Sequence, residues 1–190
     1  MNAAARTALI AAAVLALSAC GSAPPKTKAP PPAPKPVSTA QSGQAILASA
    51  SGSLVSGKLK LTPTADGVRL TGVIGGFAPN SVHAIHIHEK GDCSAVDASS
   101  AGGHFNPGMS AHGKADSGTH HGGDMDNITA DAEGVAQVNA HARAVTLGGG
   151  ASNDVAGRAV IVHAAPDDYV TQPTGNAGAR LACGVISVSH

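Results

Sequence analysis

His86-Ile87-His88 is the shortest stretch of this chain that could do chemistry. In an extended strand alternate side chains share a face, so both imidazoles point one way while Ile87 points the other, into a core. Two imidazoles at that spacing can grip one metal ion. The pair opens a dense run: His83, His86, His88, His104, His112, His120 and His121 fall within 39 positions (83 to 121), out of 10 histidines in all. Adding Asp124 and the later His163, the potential ligands are His86, His88, His104, His112, His120, His121, Asp124 and His163. The Gly-rich setting of His104, in Gly102-Gly103-His104-Phe105-Asn106-Pro107, lets backbone come close to such a site. An imidazole stripped of both ring protons can hold two cations.

Strands and loops must position these groups. Runs rich in β-branched residues and bounded by turn formers predict strands over Leu54 to Leu61, Gly67 to Ile74, Val82 to His88, Val135 to Ala140, Ala159 to His163 and Val185 to Val188. No stretch of helical length has an apolar face, so an antiparallel sandwich or barrel is expected. Only Phe77, Phe105 and Tyr169 are aromatic, which leaves an aliphatic core. Two long polar segments, His88 to about Asp131 and Ala164 to Ala179, each follow a strand that ends in histidine. Loops of that length are rare unless functional or held in place. A disulfide at Cys93 and a metal are the candidates for holding the first.

The N-terminal part reads differently. Thr7 to Ala19 is uncharged and too short to span a bilayer, which suits a secretory signal over 1–19. Leu17-Ser18-Ala19-Cys20 resembles the cleavage box of bacterial lipoproteins, so Cys20 is expected to carry lipid and to anchor the chain to a membrane. Residues 20–44 follow as a tether rich in proline, with Lys26, Lys28 and Lys35. At roughly 3.1 Å per residue its extended reach is on the order of 70 Å. Residues 45–190 form one domain, with 8 basic residues (12 less Arg6, Lys26, Lys28 and Lys35) against 12 acids, near −4. That balance does not suit nucleic acid. With Cys20 lipidated, Cys93 and Cys183 remain as a pair outside the cytosol, where a disulfide is the default.

The motifs carry a resemblance. His83 to Glu89, then Gly91-Asp92, Gly103 to Pro107, Asp124, Gly157 to His163 and Gly175 to Ile186 are similar to the copper/zinc superoxide dismutases, in the family's order and over nearly the whole domain. The resemblance is to a bacterial lipoprotein-type member and implies an eight-stranded Greek-key β-barrel or sandwich of immunoglobulin-like architecture. It implies copper on His86, His88, His104 and His163, and zinc on His104, His112, His121 and Asp124, with His104 bridging. Imidazoles suit a redox copper and a closed nitrogen and oxygen set suits a structural zinc. His121 is preferred to His120 because the family's zinc histidine stands three residues before its zinc aspartate.

The resemblance also implies the reaction: superoxide dismutation to dioxygen and hydrogen peroxide, with His104 taking up and giving a proton. Arg180 corresponds to the guiding arginine beside copper, and Asp167 to the carboxylate linking a copper histidine to a zinc histidine. His83 matches a structural position; His120, His141 and His190 are expected at the surface or behind the ligands. The expected setting is the cell envelope, periplasmic or at the cell surface, where the enzyme removes extracellular superoxide. The chain departs from the eukaryotic pattern at Ala84, commonly glycine there, and in lacking a clear charged cluster before Arg180. Cys93 directly follows Asp92 as in bacterial-type members, whose subunit interface differs, so homodimer and monomer both stay open. A copper or zinc buffer and a structural lipoprotein are the rival readings. A missing ligand or arginine would favour them, and none is missing.

Overall fold

The computed structural model describes residues 36–116 and 118–190, and the expected signal segment, Cys20 and most of the tether lie outside the described residues. Among the described residues nine strands follow in order: β1 Ser42–Ser49, β2 Ser56–Thr64, β3 Gly67–Gly75, β4 Val82–His83, β5 Ile85–His88, β6 Ile128–Thr129, β7 Val135–Arg143, β8 Ala159–His163 and β9 Arg180–Ser189. Helix is limited to one 3-10 turn, Ser99–Ala101, among the described residues.

Seven strands form an antiparallel sheet in the order β5-β8-β9-β1-β2-β3-β7, and β4 pairs with β6. β4 and β5 are one run of chain bent at Ala84. There the Ala84 N–H donates to Ala165 O at 3.0 Å, and its C=O accepts from the His163 N–H at 2.9 Å. Counted as one kinked strand they bring the total to eight, in a nearly closed barrel. The chain passes from β3 to β4 and again from β7 to β8 without pairing the strands it joins, which is the Greek-key connection.

Alternation fills the interior. On β2 Leu59 and Leu61 are buried while Lys58 and Lys60 face water, and on β7 Ala136, Val138, Ala140 and Ala142 line the inside. Ile85 and Ile87 of β5 join the same core with Val160 and Val162 of β8. The outer faces of β5 and β8 are covered too, so every residue of both strands is buried. Over β8, Ala159 and Ile161 pack with Ala98 and Ala101 of the long loop and with Cys183. Cys93 and Cys183 form a disulfide across 90 residues of sequence. Closing such a loop restricts the unfolded chain, worth about 4 to 5 kcal/mol on the entropic account.

Two strands escape the sequence pattern. β1 has small inward residues, Gly43 and Ala45 beside Leu47, and turns Ile46 outward at 63% exposure, so its alternation is weak. It begins at Ser42, and the N–H groups of Thr39 and Ala40 already donate to Leu147 O. β6 is two residues long, below the length any periodicity could reveal. β9 extends well ahead of Val185, through the small residues Ala182, Cys183 and Gly184.

Candidate metal centre

β5 is the sheet's edge, and the way that edge is covered builds the site. The Phe105 N–H donates to Ile87 O at 2.8 Å, the Ile87 N–H donates to Gly123 O at 2.9 Å, and His88 and His104 form an isolated antiparallel bridge. The two segments thereby lay His104 and Asp124 against the outward histidines of β5. Gly123 must lack a side chain, because a Cβ there would run into Ile87 O. From the adjacent β8, His163 points to the same outward face.

Four imidazoles converge: His86, His88, His104 and His163 offer ligand atoms within 4.8 Å of one another, all buried. Carbonyl partners set the tautomers. His88 Nδ1–H donates to Gly102 O at 2.9 Å and His163 Nδ1–H to Gly178 O at 3.2 Å. Both Nε2 atoms are therefore lone pairs, and they face each other at 3.4 Å. His86 uses Nε2 on Asp167 Oδ2 at 2.8 Å, which leaves its Nδ1 buried without a hydrogen-bond partner. His104 likewise binds Asp124 Oδ1 through Nδ1 at 2.8 Å and leaves Nε2 without one.

A second set shares His104: His104, His112, His121 and Asp124, again with ligand atoms within 4.8 Å. Asp124 Oδ2 accepts from the His121 N–H at 2.8 Å and the Gly113 N–H at 3.2 Å, which aims the carboxylate. His112 Nδ1 stands 3.0 Å from Asp124 Oδ2, outside hydrogen-bonding geometry. His121 Nδ1 lies 3.4 Å from His104 Nδ1. Its neighbour His120 turns away, with Nδ1 donating to His121 O at 2.6 Å.

Electrostatics separate the two sets. Burial, with the neighbouring His104 adding, holds His88 down to about 2. Burial, with His86 adding, holds His163 down to about 3. Burial also lowers His104 to about 4, against the pull of Asp124. These rings stay neutral, as metal ligation requires. Burial opposes charge on His112 as well, but the carboxylate of Asp124 beside Nδ1 and the hydrogen bond of Nε2 to Asp167 overcome it and raise the ring to about 9. Asp124 and Asp167 resist burial in the same way and sit well below the usual carboxylate range. The second set thus gathers anionic oxygen that favours positive charge at this point, which a divalent cation would supply.

The donor set fits metal on this evidence. Unpartnered buried ring nitrogens and facing lone pairs each cost free energy, and a cation between them relieves both. Of the potential ligands singled out in the sequence, all but His120 come together here. Asp167 spans the two sets, on His86 Nε2 at 2.8 Å and on His112 Nε2 at 2.9 Å. Arg180, opening β9, donates from Nη1 to Ala98 O at 2.7 Å and from Nη2 to Gly102 O at 2.6 Å. Gly102 O also receives His88 Nδ1, so one carbonyl couples the guanidinium to that ring. His83 lies behind, donating from Nδ1 to His163 O at 2.8 Å and stacked on Phe77. His141 is remote, beside Thr64 and Asp66 at the end of β7.

Three supporting residues escape sequence reasoning. Asn127 Oδ1 accepts from the Asp167 N–H at 2.8 Å and its Nδ2 donates to Asp167 O at 2.9 Å, gripping the main chain of the spanning carboxylate. The Tyr169 hydroxyl accepts from the Asn127 N–H at 2.9 Å, and the Tyr169 N–H donates to Asp167 Oδ1 at 2.7 Å. A lone tyrosine just after Asp167-Asp168 in a polar loop was the available signal. Gly175, at φ 66°, leaves room for Asp167 to reach His112: a Cβ would collide with Asp167 Oδ1 and come within 2.7 Å of His112 Nε2.

Known proteins resemble the chain in sequence and in fold. Residues 55–186 match the family model described as copper/zinc superoxide dismutase. Copper/zinc superoxide dismutase 2 of Aquifex aeolicus is 43% identical over 135 residues, covering 70% of this chain and 79% of the relative. The copper/zinc superoxide dismutase of Caulobacter vibrioides is 41% identical, covering 68% and 77%. Among solved structures, a SOD-like protein from Bacillus subtilis superposes with a TM-score of 0.68 at 34% identity, over 75% of this chain and 96% of that one. The clock protein EA4 gives 0.69 at 34% identity, over 80% and 98%. A barrel carrying two histidine-rich sets that share one ring, and a sequence match running from β1–β2 to β9, lead to one conclusion: the chain belongs to the copper/zinc superoxide dismutase family.

Proposed function

We propose that the chain dismutates superoxide with copper held by His86, His88, His104 and His163, and zinc by His104, His112, His121 and Asp124. The observation that carries this reading is His104, one buried ring whose Nε2 faces three imidazoles while its Nδ1 faces the carboxylate set. Copper supplies reversible one-electron chemistry and zinc a fixed positive charge when bound. The balance is two superoxides and two protons to one dioxygen and one hydrogen peroxide.

The residues of the chain supply charge, orientation and a proton. His104 Nε2 has a free lone pair in a dry setting without a competing hydrogen bond; with Nδ1 given to zinc, the neutral ring can carry its one proton there and hand it to the reduced substrate. Asp124 on Nδ1 keeps the ring aimed as that proton comes and goes. Arg180 gives the locality a permanent cation, and its charge is felt at His88 and His163. With the domain near −4, attraction of an anion depends on this local field. Asp167 holds the far nitrogens of His86 and His112 and so ties the orientation of the two sets together.

The same proposal extends to location. The disulfide fits an oxidising compartment. The uncharged N-terminal stretch, the Leu-Ser-Ala-Cys box and the proline-rich segment support a chain lipidated at Cys20 and tethered to a bacterial membrane, guarding the envelope against superoxide.

Loading the purified domain with copper and zinc should give superoxide decay far above that of free copper; full occupancy with no excess rate would sink the reading. Arg180→Ala should slow that decay roughly tenfold to a hundredfold while copper content holds, and loss of copper instead would mean the arginine is structural. Gly175→Ala should part Asp167 from His112 and weaken metal affinity about tenfold to a hundredfold, measured by competition with a chelator. Cys20→Ala expressed in a bacterium should move the protein from the detergent phase to the aqueous phase on phase separation, and an unchanged partition would exclude the lipid.

A further inference from the structure

His112 is held in an unusual way. Its main chain is bonded to a side chain: the His112 N–H donates to Gln172 Oε1 at 2.9 Å, and the His112 C=O accepts from Gln172 Nε2 at 2.9 Å. A carboxamide carries an acceptor and a donor in one plane, the pattern a neighbouring strand's backbone would offer. Because His112 presents one donor and one acceptor, the amide can satisfy both in one orientation alone.

We infer that Gln172 is a positioning residue for zinc, locking the backbone of His112 so that Nδ1 stays turned toward Asp124. Asp167 pins the far side of the same ring through Nε2. Both groups come from the segment between β8 and β9, so that loop grips the ligand at backbone and ring. His112 otherwise sits in a polar loop between Phe105 and Gly123, the two points where that loop meets β5. Without the clamp the ligand would be held only by Asp167 at Nε2 and by the Gly113 N–H on Asp124, and it could swing out and release the ion more often. Gln172 itself is exposed, so its removal leaves the aliphatic core intact.

The inference rests on reading His104, His112, His121 and Asp124 as the zinc set, and the experiment separates the two. The full domain is loaded with copper and zinc, excess chelator is added, and zinc release is followed for the parent, Gln172→Ala, Gln172→Leu and Gln172→Glu. The alanine and leucine variants should lose zinc roughly tenfold faster. Gln172→Glu keeps the acceptor for the His112 N–H but not the donor to its C=O, and should fall between. Copper content and the melting temperature of the metal-free protein should not move, whereas the visible spectrum with cobalt(II) in the zinc position should change. Release from Gln172→Ala within twofold of the parent overturns the inference, as does equal loss of copper and zinc. A parent whose zinc uptake survives His112→Ala overturns the zinc assignment and the inference with it.

Discussion

Two buried imidazole lone pairs facing each other at 3.4 Å are the constraint on which the rest of the molecule turns. Left bare, the Nε2 atoms of His88 and His163 repel and lose hydration that nothing in the protein replaces. Protonation is no remedy, because burial holds both rings far below their ordinary range. Only a cation placed between them answers the geometry, and the folded chain is arranged to keep that demand standing. Gly102 O and Gly178 O take the opposite nitrogens and so prevent either ring from flipping its tautomer.

The carboxylates extend the constraint outward. Asp124 faces His104 and Asp167 spans His86 and His112, so neither set can change its ring orientations without disturbing the other. Asp167 is in turn gripped by Asn127 and Tyr169, and room for it is cleared by Gly175. Each support comes from a loop, yet the loops are fixed by the barrel. β5 takes Phe105 and Gly123 along its edge, the disulfide ties Cys93 to β9, and the small-residue cluster over β8 seals the remaining side. A site of this kind needs no rigid helix, because the long polar segments are held at several points by the metal ligands themselves and by the strands beneath.

Much of this was legible in the chain. The Ile-His-Ile-His alternation states both that β5 has two faces and which chemistry belongs on the outer one. The β2, β3 and β8 patterns announce strands because their inward residues are large. β1 was not legible because its inward positions are small and one outward position is isoleucine, so burial and side-chain size do not run in parallel there. The eight-strand count survives only when β4 and β5 are taken together, since the bend at Ala84 arises from hydrogen bonds to Ala165 and His163, far away in sequence.

By itself the sequence determined the inventory: which side chains can bind metal, which cysteines can pair, that the core is aliphatic, and, through its motifs, the family. Those properties are local or compositional, carried by residue type and short spacing. The tertiary structure alone decided which nitrogen of each ring is free and that Asn127, Tyr169 and Gln172 stand behind the ligands. A tautomer depends on the carbonyl or carboxylate opposite, and that partner is often tens of residues away, as Asp167 is from His86. The opening pair of histidines is therefore a metal grip only because the barrel brings a carbonyl to one ring and a carboxylate to the other.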